Sequence, residues 1–237
     1  MFKKIYWGLP YNTRRFLFKL VKPKRYRRFK MKLSSVDINN TSFKGFIEYK
    51  TIFVHIPKAA GISFNMSLFD NLGGGHIPLR NYQLVFSKKD FESFYKFTIV
   101  RNPWDRLFSA YNFLKKGGLT GNDQEFAKKN INPYKDFNAF VIKWVNKKNI
   151  NKGIHFKPQY KFLCDIHDNV LTDYIGYFEN IENEFQSICE KLNIEKELIK
   201  INSNKRTENY KDYYNENTKK IVKEVYKKDI ELFGYKF

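Results

Sequence analysis

The sequence contains little cysteine and little histidine, and neither residue type is arranged for metal binding. Its two cysteines, Cys164 and Cys189, show no C-x-x-C spacing, and its four histidines form no H-x-x-x-H pair. We therefore predict no metal site. One potential disulfide is weak evidence for an oxidising compartment, so reduced thiols in a cytosolic protein are the favoured interpretation.

Long apolar segments are also missing. No stretch has the roughly 18 consecutive apolar residues that a membrane-spanning helix needs. The basic N-terminus lacks the apolar segment and the small-residue cleavage site of a secretory signal peptide. We therefore expect a soluble, cytoplasmic protein, with peripheral contact at the inner membrane surface as a further expectation.

Acidic residues are absent from residues 1–36, which contain twelve lysines and arginines interleaved with aromatic and aliphatic side chains. The whole chain has a formal net charge of +20, which favours anionic partners. The segment is typical of an interfacial helix on anionic lipid, but an arm packed on the domain explains the same composition. Nucleic-acid binding is a third, less favoured interpretation. We predict a basic, aromatic-rich N-terminal arm over residues 1–45 and one folded domain over 46–237.

From residue 51 onward, short apolar runs alternate with segments of helical apolar spacing. This alternation predicts an α/β fold with a P-loop-like open parallel sheet, flanked by helices, in a single domain. The predicted strands are 51–55, 97–100 and 173–178. The predicted helices are 62–70, 105–115, 136–147, 181–192 and 215–231, and polar loops are predicted over 117–123 and 147–152.

The first predicted strand runs into a short loop with the composition of a phosphate-binding site. Pro57 ends the strand, Lys58 supplies a positive charge, and the small residues of Ala59–Gly61 precede the predicted helix. Backbone N–H groups at a helix N-terminus, the helix dipole and a nearby lysine together favour an anion. A Walker A loop would place lysine directly before a hydroxyl residue, whereas Ser63 follows Lys58 by five positions. The loop therefore predicts phosphate binding outside the P-loop NTPase pattern, with a plain turn and a solvated lysine as the alternative.

A second apolar strand, Phe97–Val100, runs into the sequence RNPWDRLFSAY. Pro103 suits the first turn of a helix, and Asp105 suits its positive N-terminal end. Arg101 would thus follow the carboxyl end of a strand, where open parallel sheets bind their ligands. The planar guanidinium of arginine can form two parallel hydrogen bonds with a phosphate. We predict a second anion site here, with Ser109 two helical turns beyond Arg101.

Together, the segments IPKAAGIS and VRNPWDRLFSAY resemble the two nucleotide-binding motifs of carbohydrate sulfotransferases. That family includes the chondroitin, HNK-1 and heparan uronyl 2-O sulfotransferases and many bacterial relatives. The resemblance implies a donor, 3′-phosphoadenylyl sulfate (PAPS), no metal, and transfer to a carbohydrate hydroxyl. By position, it implies that Arg101 and Ser109 hold the 3′-phosphate. The residues implied to cradle the 5′-phosphosulfate are Lys58, Ala59, Ala60, Gly61, Ile62 and Ser63.

Three further segments resemble the same family. His155–Gln159 is similar to its H-[FW]-x-P-Q segment, and Asp173–Glu179 to its D-Y-I-G-x-[FY]-E segment. The C-terminal Asp229–Tyr235 is similar to its D-x-x-x-F-G-Y ending. The resemblance implies that residues 46–237 form the sulfotransferase catalytic domain. Because the chain shows no membrane helix of the kind that anchors Golgi members, it resembles a soluble, bacterial-type member.

Sulfuryl transfer needs a base for the acceptor hydroxyl and positive charge at the leaving phosphate. Lys58 is the predicted electrophile at the bridging oxygen. His76 follows a glycine run, which predicts a loop at the rim of the site, and the family resemblance favours it as the catalytic base. His155 is the competing candidate, with a core or substrate-orienting role as its alternative.

A basic loop near the C-terminus, Ser203–Thr207, resembles a loop that closes over the nucleotide in uronyl-type members. The resemblance implies that Lys205 and Arg206 contact the donor. A solvated basic turn explains the same residues.

Two other functions fit parts of the sequence. A P-loop-like nucleotide kinase would share the strand–loop–helix but would need Mg²⁺ and a Walker-type lysine–hydroxyl pair. A basic membrane- or nucleic-acid-binding module would explain the charge alone. No motif identifies the acceptor sugar. Basic residues in the loops favour an anionic glycan, and a membrane-bound arm would bring the domain to a lipid-linked one. Nucleic acid is not the expected partner.

Overall fold

The computed structural model describes residues 2–199, 201 and 209–237. The chain forms two compact units. The sheet unit contains residues 1–56, 60–99 and 160–201, and the helical unit contains residues 57–59, 100–159 and 202–237. Ala59 and Ala60, which are consecutive in the predicted phosphate loop, therefore belong to different units.

The described part of the chain contains a sheet of three strands in the order β1-β2-β3, which are β1 (Thr51–Val54), β2 (Tyr95–Val100) and β3 (Tyr174–Tyr177). β1 and β2 are parallel, with Thr51 opposite Tyr95. Every residue of β1 is buried, as expected for a parallel strand that is covered on both faces. The rings of Phe53 and Phe97 stack across the two strands with their centroids 5.0 Å apart. The predicted α/β class and open parallel sheet are confirmed.

Helices account for most of the remaining regular structure. In chain order they are α1 (Phe2–Gly8), α2 (Tyr11–Val21), α3 (Pro23–Lys32), α4 (Lys44–Glu48), α5 (Gly61–Phe69), α6 (Lys88–Ser93), α7 (Pro103–Lys115), α8 (Gly121–Asn130), α9 (Phe137–Trp144), α10 (Tyr160–Leu163), α11 (Ile181–Leu192), α12 (Glu216–Val225) and α13 (Lys227–Phe233). Short 3-10 helices lie at Leu79–Leu84, Asn149–Asn151, Phe178–Asn180 and Tyr210–Tyr213. The predicted helices are present as α5, α7, α9, α11 and the pair α12–α13.

Two predictions of local structure were wrong. The polar loop over 117–123 ends early, because Thr120 and Asp123 form a capping box that starts α8 at Gly121. The single helix over 215–231 is divided at Tyr226, whose hydroxyl donates a hydrogen bond to the Phe156 carbonyl at 2.7 Å.

The N-terminal arm contains α1, α2 and α3 and packs through one face on the rest of the sheet unit. The Tyr11 hydroxyl donates to the Phe86 carbonyl at 3.2 Å, and Phe18 and Phe29 are buried. The Phe29 ring lies 6.1 Å from the Phe43 ring, which lies 5.8 Å from the Phe86 ring, all measured between centroids. The predicted boundary between residues 45 and 46 falls inside α4 and stays a prediction. Within the described ranges, no helix combines the length and the apolar character needed to cross a bilayer.

The helical unit is built around aromatic side chains. Its buried cluster includes Phe108, Phe137, Phe140, Trp144 and Phe156. The Tyr214 hydroxyl donates to the Trp104 carbonyl at 2.8 Å, so a buried tyrosine after the last 3-10 helix is tied to the first turn of α7. This packing fixes α7, which begins two residues after Arg101.

Candidate active site

The predicted site residues are divided between the two units. The helical unit contains Lys58, Ala59, Arg101, Ser109 and His155. The sheet unit contains Ala60, Gly61, Ile62, Ser63 and His76. Lys205 and Arg206 lie outside the described residues, so their role stays a prediction.

In the sheet unit, α5 begins at a left-handed backbone turn that packs closely on His55. Ala60, the N-cap, has a left-handed φ of 55°, which is uncommon for a residue with a side chain. A Cβ atom on Gly61 would overlap the imidazole of His55. His55 is 6% exposed and lies 3.4 Å from the Asn65 side chain, Nδ1 to Nδ2. His55 therefore packs beneath the start of α5.

Ser63 lies in the first turn of α5 and is buried. Its Oγ accepts the backbone N–H of Ile201 at 3.2 Å. The hydroxyl thus contacts the chain directly before the segment that contains Lys205 and Arg206. Its predicted contact with the 5′-phosphosulfate stays a prediction, as do those of Ala60, Gly61 and Ile62.

His76 lies on the predicted glycine loop and is half-buried. Its Nδ1 lies 3.1 Å from the backbone carbonyl oxygen of His55, and the two imidazole rings are 4.2 Å apart. A carbonyl oxygen only accepts hydrogen bonds, so Nδ1 must carry the proton. The lone pair of neutral His76 then lies on Nε2, which is the atom able to act as a base.

In the helical unit, two buried arginines bind consecutive carbonyl groups of the phosphate loop. Nε of Arg106 donates to the Pro57 carbonyl at 2.9 Å. Nη1 of Arg101 donates to the Lys58 carbonyl at 3.0 Å. We call these two contacts the arginine clamp. The clamp fixes the loop backbone at Lys58, whose φ of 68° is left-handed.

The ammonium of Lys58 lies 4.0 Å from the centroid of the Phe113 ring. A cation above an aromatic face is attracted by the ring quadrupole. Phe113 belongs to α7, so the same helix supplies a contact for the lysine side chain and, through Arg106, an anchor for the loop backbone. Ser109 is half-buried in this helix.

Arg101 is held on several sides. Its Nε donates to Asp105 Oδ2 at 2.7 Å, and the arginine is only 8% exposed. Its backbone N–H donates to Gln159 Oε1 at 3.0 Å, and its carbonyl accepts from Gln159 Nε2 at 2.8 Å. The backbone N–H of Gln159 donates to Asp229 Oδ2 at 2.7 Å. Arg101 is thereby connected to two of the three further segments that resemble the family, His155–Gln159 and Asp229–Tyr235.

This chain of contacts explains residues that the sequence singled out without a role. Gln159 and Asp229 are both 0% exposed, so their polar atoms need partners inside the protein. The backbone N–H of Gln159 pairs with the Asp229 carboxylate, and the side-chain amide of Gln159 pairs with the backbone of Arg101. Their positioning role could not be derived from spacing, because the three residues are far apart in the sequence.

His155 is paired with a carboxylate. Its Nε2 lies 3.0 Å from Asp123 Oδ1, and its ring lies 5.0 Å from the Phe113 ring. Burial lowers the pKa of His155; the Asp123 carboxylate opposes this shift, and the Lys58 and Arg106 charges add to it. Burial alone would raise the pKa of Asp123, but hydrogen bonds from His155, Leu119 and Thr120 hold it below its usual range.

The pair is therefore a neutral imidazole that donates its Nε2 proton to an ionised carboxylate. The lone pair of His155 then lies on Nδ1. A carboxylate orients the imidazole of His155, whereas a backbone carbonyl orients that of His76. The catalytic roles of both histidines stay predictions.

No group of three or more histidine, cysteine or acidic side chains that could hold a metal ion occurs among residues 2–199, 201 and 209–237. Cys164 and Cys189 are both buried free thiols.

Residues 43–236 match the model of the sulfotransferase family, which covers most of the chain. The chain therefore belongs to the sulfotransferase family, and the activity of that family is sulfuryl transfer. An uncharacterized protein of Archaeoglobus fulgidus is 28% identical over 117 residues, which represent 49% of this chain and 82% of that protein. No solved structure matches the chain. The family resemblance of the sequence is thus confirmed.

Proposed function

We propose that this sulfotransferase moves the sulfuryl group of PAPS to a hydroxyl of a carbohydrate. Membership of the family supports the reaction class. The observation that carries the choice of an anionic nucleotide donor is the arginine clamp on the Lys58 loop.

The clamp controls where the N–H groups of the loop point. In a trans peptide, the C=O and N–H bonds point in opposite directions. The Pro57 carbonyl shares its peptide with the N–H of Lys58, and the Lys58 carbonyl shares its peptide with the N–H of Ala59. Because Arg106 and Arg101 bind the two carbonyls, both N–H groups are directed away from the guanidinium groups. Fixed N–H groups beside a lysine favour an anion such as the 5′-phosphosulfate.

The second anion of the donor is its 3′-phosphate, for which we propose Arg101 and Ser109 as ligands. The guanidinium of Arg101 lies at the carboxyl end of β2, and its planar fork suits a phosphate. Arg101 would then act on both ends of the donor, since it anchors the Lys58 loop and binds the 3′-phosphate. The remaining donor contacts are proposed for Ala59 to Ser63, Lys205 and Arg206.

In the proposed step, the acceptor oxygen forms a bond to sulfur while the bond from sulfur to the bridging phosphate oxygen breaks. The Lys58 ammonium stabilises the charge that develops on the leaving phosphate. A histidine takes the hydroxyl proton. We propose Nε2 of His76 as this base, with Nδ1 of His155 as the competing candidate. The products are a sulfated glycan and 3′-phosphoadenosine 5′-phosphate.

We propose an anionic or lipid-linked glycan as the acceptor and the cytoplasm as the compartment. The supporting observations are the exposed lysines Lys115, Lys116 and Lys128 in the helical unit and the two buried free cysteines. An exposed cluster of positive charge attracts acidic substrates and raises their encounter rate.

The proposal is tested by sulfate transfer from radiolabelled PAPS to a panel of uronic-acid-containing and neutral glycans. Lys58→Met should reduce transfer at least about 100-fold, as expected for loss of a group that stabilises transition-state charge. Lys143→Met, which removes an exposed lysine from α9, is the matched control. Equal transfer by wild type and Lys58→Met would contradict the proposed role of the loop.

The base is assigned by a second comparison. His76→Ala should abolish most transfer while leaving the affinity for 3′-phosphoadenosine 5′-phosphate unchanged, since a base acts on the acceptor. If His155→Ala shows this behaviour and His76→Ala does not, the base is His155.

A further inference from the structure

The N-terminal arm has two different faces. Phe18 of α2 is buried at 6% exposure, whereas Phe16 and Leu20 are 60% and 58% exposed. Phe16 and Leu20 are four residues apart and therefore neighbours on one face of the helix, roughly opposite Phe18. α2 thus packs on the sheet unit with one apolar face and presents a second apolar face to solvent.

The exposed apolar residues continue where α2 meets α3. All residues from 19 to 25 are exposed, and Val21 is 68% exposed. Met31 on α3 is 59% exposed. Six of the fifteen exposed large apolar residues in the described chain lie within residues 1–36, which is a strong concentration for so short a segment. Scattered exposed apolar residues are ordinary, but a concentrated set marks an interaction surface.

Basic side chains surround these apolar residues. The exposed basic residues of this region are Lys19, Lys22, Lys24, Arg25, Arg27, Arg28 and Lys30. No acidic residue occurs before Asp37. On α3, Lys24, Arg27 and Met31 share the face opposite the buried Phe29, because they are spaced by three and four residues. We call the exposed part of residues 16–31 the arm surface.

We propose that the arm surface docks on the surface of an anionic lipid bilayer, with Phe16, Leu20 and Val21 inserted between headgroups. Basic side chains match anionic headgroups, and each contributes to binding near the membrane. The exposed apolar face favours lipid over nucleic acid, because phosphate-backbone binding uses the charges but gives aliphatic side chains no apolar environment. The arm is already packed on the rest of the sheet unit, because Tyr11 donates to the Phe86 carbonyl and Phe18 and Phe29 are buried, so binding does not require folding.

The experiment is vesicle co-sedimentation of the full chain. The vesicles contain phosphatidylcholine alone or with about a third of phosphatidylglycerol, since the surface potential comes from the anionic lipid. We expect binding only to the anionic vesicles, and we expect this binding to weaken strongly between roughly 0.05 and 0.5 M salt.

Two double variants separate charge from apolar insertion. Lys24→Glu with Arg27→Glu should weaken vesicle binding at least about 25-fold, from about fivefold for each lost basic residue. Phe16→Ser with Leu20→Ser should weaken it at least about tenfold. The matched controls are Lys147→Glu with Lys148→Glu and Leu119→Ser with Ile142→Ser, which change exposed residues of the helical unit. The controls should bind vesicles as wild type does.

Several results would overturn the proposal. If the Lys147 and Lys148 changes weaken binding as much as the Lys24 and Arg27 changes, net charge and not the arm surface is responsible. If Phe16→Ser with Leu20→Ser binds as wild type, no apolar insertion occurs. A labelled DNA duplex that binds the arm while anionic vesicles do not would assign the surface to nucleic acid.

Discussion

Gln159 gives the sharpest test of how the site is held together. Its side-chain amide is 0% exposed and makes two hydrogen bonds with the backbone of Arg101, one as acceptor and one as donor. Gln159→Leu keeps the approximate volume but leaves the N–H and C=O of Arg101 buried without these partners. Each unsatisfied group costs about 1–3 kcal/mol, so the free energy of unfolding should fall by about 2–6 kcal/mol.

Gln159→Glu separates the two hydrogen bonds. An ionised carboxylate still accepts the Arg101 N–H but cannot donate to the Arg101 carbonyl, so the loss should be about 1–3 kcal/mol or more near neutral pH. A protonated carboxyl donates and restores the second bond. The pKa of the introduced carboxyl is therefore raised above its unfolded value of about 4.3. The stability it contributes is present at low pH and is lost as pH rises through the raised pKa.

The assay is thermal unfolding of wild type, Gln159→Leu and Gln159→Glu between about pH 5 and 8, a range above the unfolded pKa of a glutamate. The difference in melting temperature between wild type and Gln159→Glu should widen as pH rises. Gln159→Leu should show a large deficit with no such trend. A Gln159→Leu melting temperature within about 2 °C of wild type, less than 1 kcal/mol for a chain of this size, would refute the reasoning.

Three further outcomes follow from the site. Arg106→Met removes one contact of the arginine clamp, a charged hydrogen bond that contributes about 1.5–3 kcal/mol. The affinity for 3′-phosphoadenosine 5′-phosphate, measured by calorimetry, should therefore fall about 10- to 100-fold. An affinity within twofold of wild type would show that the clamp has no role in donor binding. Gly61→Ala, which forces a Cβ into the His55 ring, should cost about 1–3 kcal/mol in unfolding free energy. Gly121→Ala, at the first residue of α8, should be nearly neutral, because its Cβ would meet no atom of a more distant part of the chain within 4 Å. Equal effects of the two changes would contradict the packing argument. Because burial lowers the pKa of His155, the free energy of unfolding of the wild type should fall as pH drops below about 6.5, the pKa of an unfolded histidine. The slope of unfolding free energy against pH should be smaller in His155→Gln. An unchanged slope would show that the pKa of His155 is the same in the folded and unfolded states.

The strands of the sheet and the helices that follow them were predictable because their signals are local. β1 is a short buried run that ends near Pro57, and α7 begins with Asn102 as its N-cap and Pro103 at its first position. α8 was missed although its signal was present. Thr120 followed by Asp123 is a capping box, which indicates a helix start. The two glycines before it favour a loop, and the loop was predicted to extend too far.

The arginine clamp and the Gln159 contacts could not be predicted, because they depend on tertiary packing. Nothing in the sequence says that a guanidinium six residues after β2 reaches the carbonyl of Pro57. Equally, the motif around Gln159 marks the residue without showing that its amide pairs with the backbone of Arg101. Sequence patterns locate such residues, but only the structure shows which backbone group each one satisfies.

The N-terminal arm illustrates the same limit. Its composition allowed three interpretations, and the buried Phe18 and Phe29 show that one face packs on the sheet unit. Periodicity alone could not tell this face from the exposed one, because α2 is apolar on both sides. The exposed Phe16 and Leu20 leave the membrane interpretation open to experiment.

The most direct test of the central claim is calorimetric titration, without metal, of 3′-phosphoadenosine 5′-phosphate and of ADP into the purified chain. The two ligands differ in the 3′-phosphate that we assign to Arg101 and Ser109 and in the second 5′-phosphate that a kinase site would hold. A PAPS-dependent sulfotransferase should bind the 3′-phosphorylated nucleotide with micromolar affinity and ADP much more weakly. Binding of ADP that is tighter and requires Mg²⁺, or no binding of either nucleotide, would contradict the proposed donor.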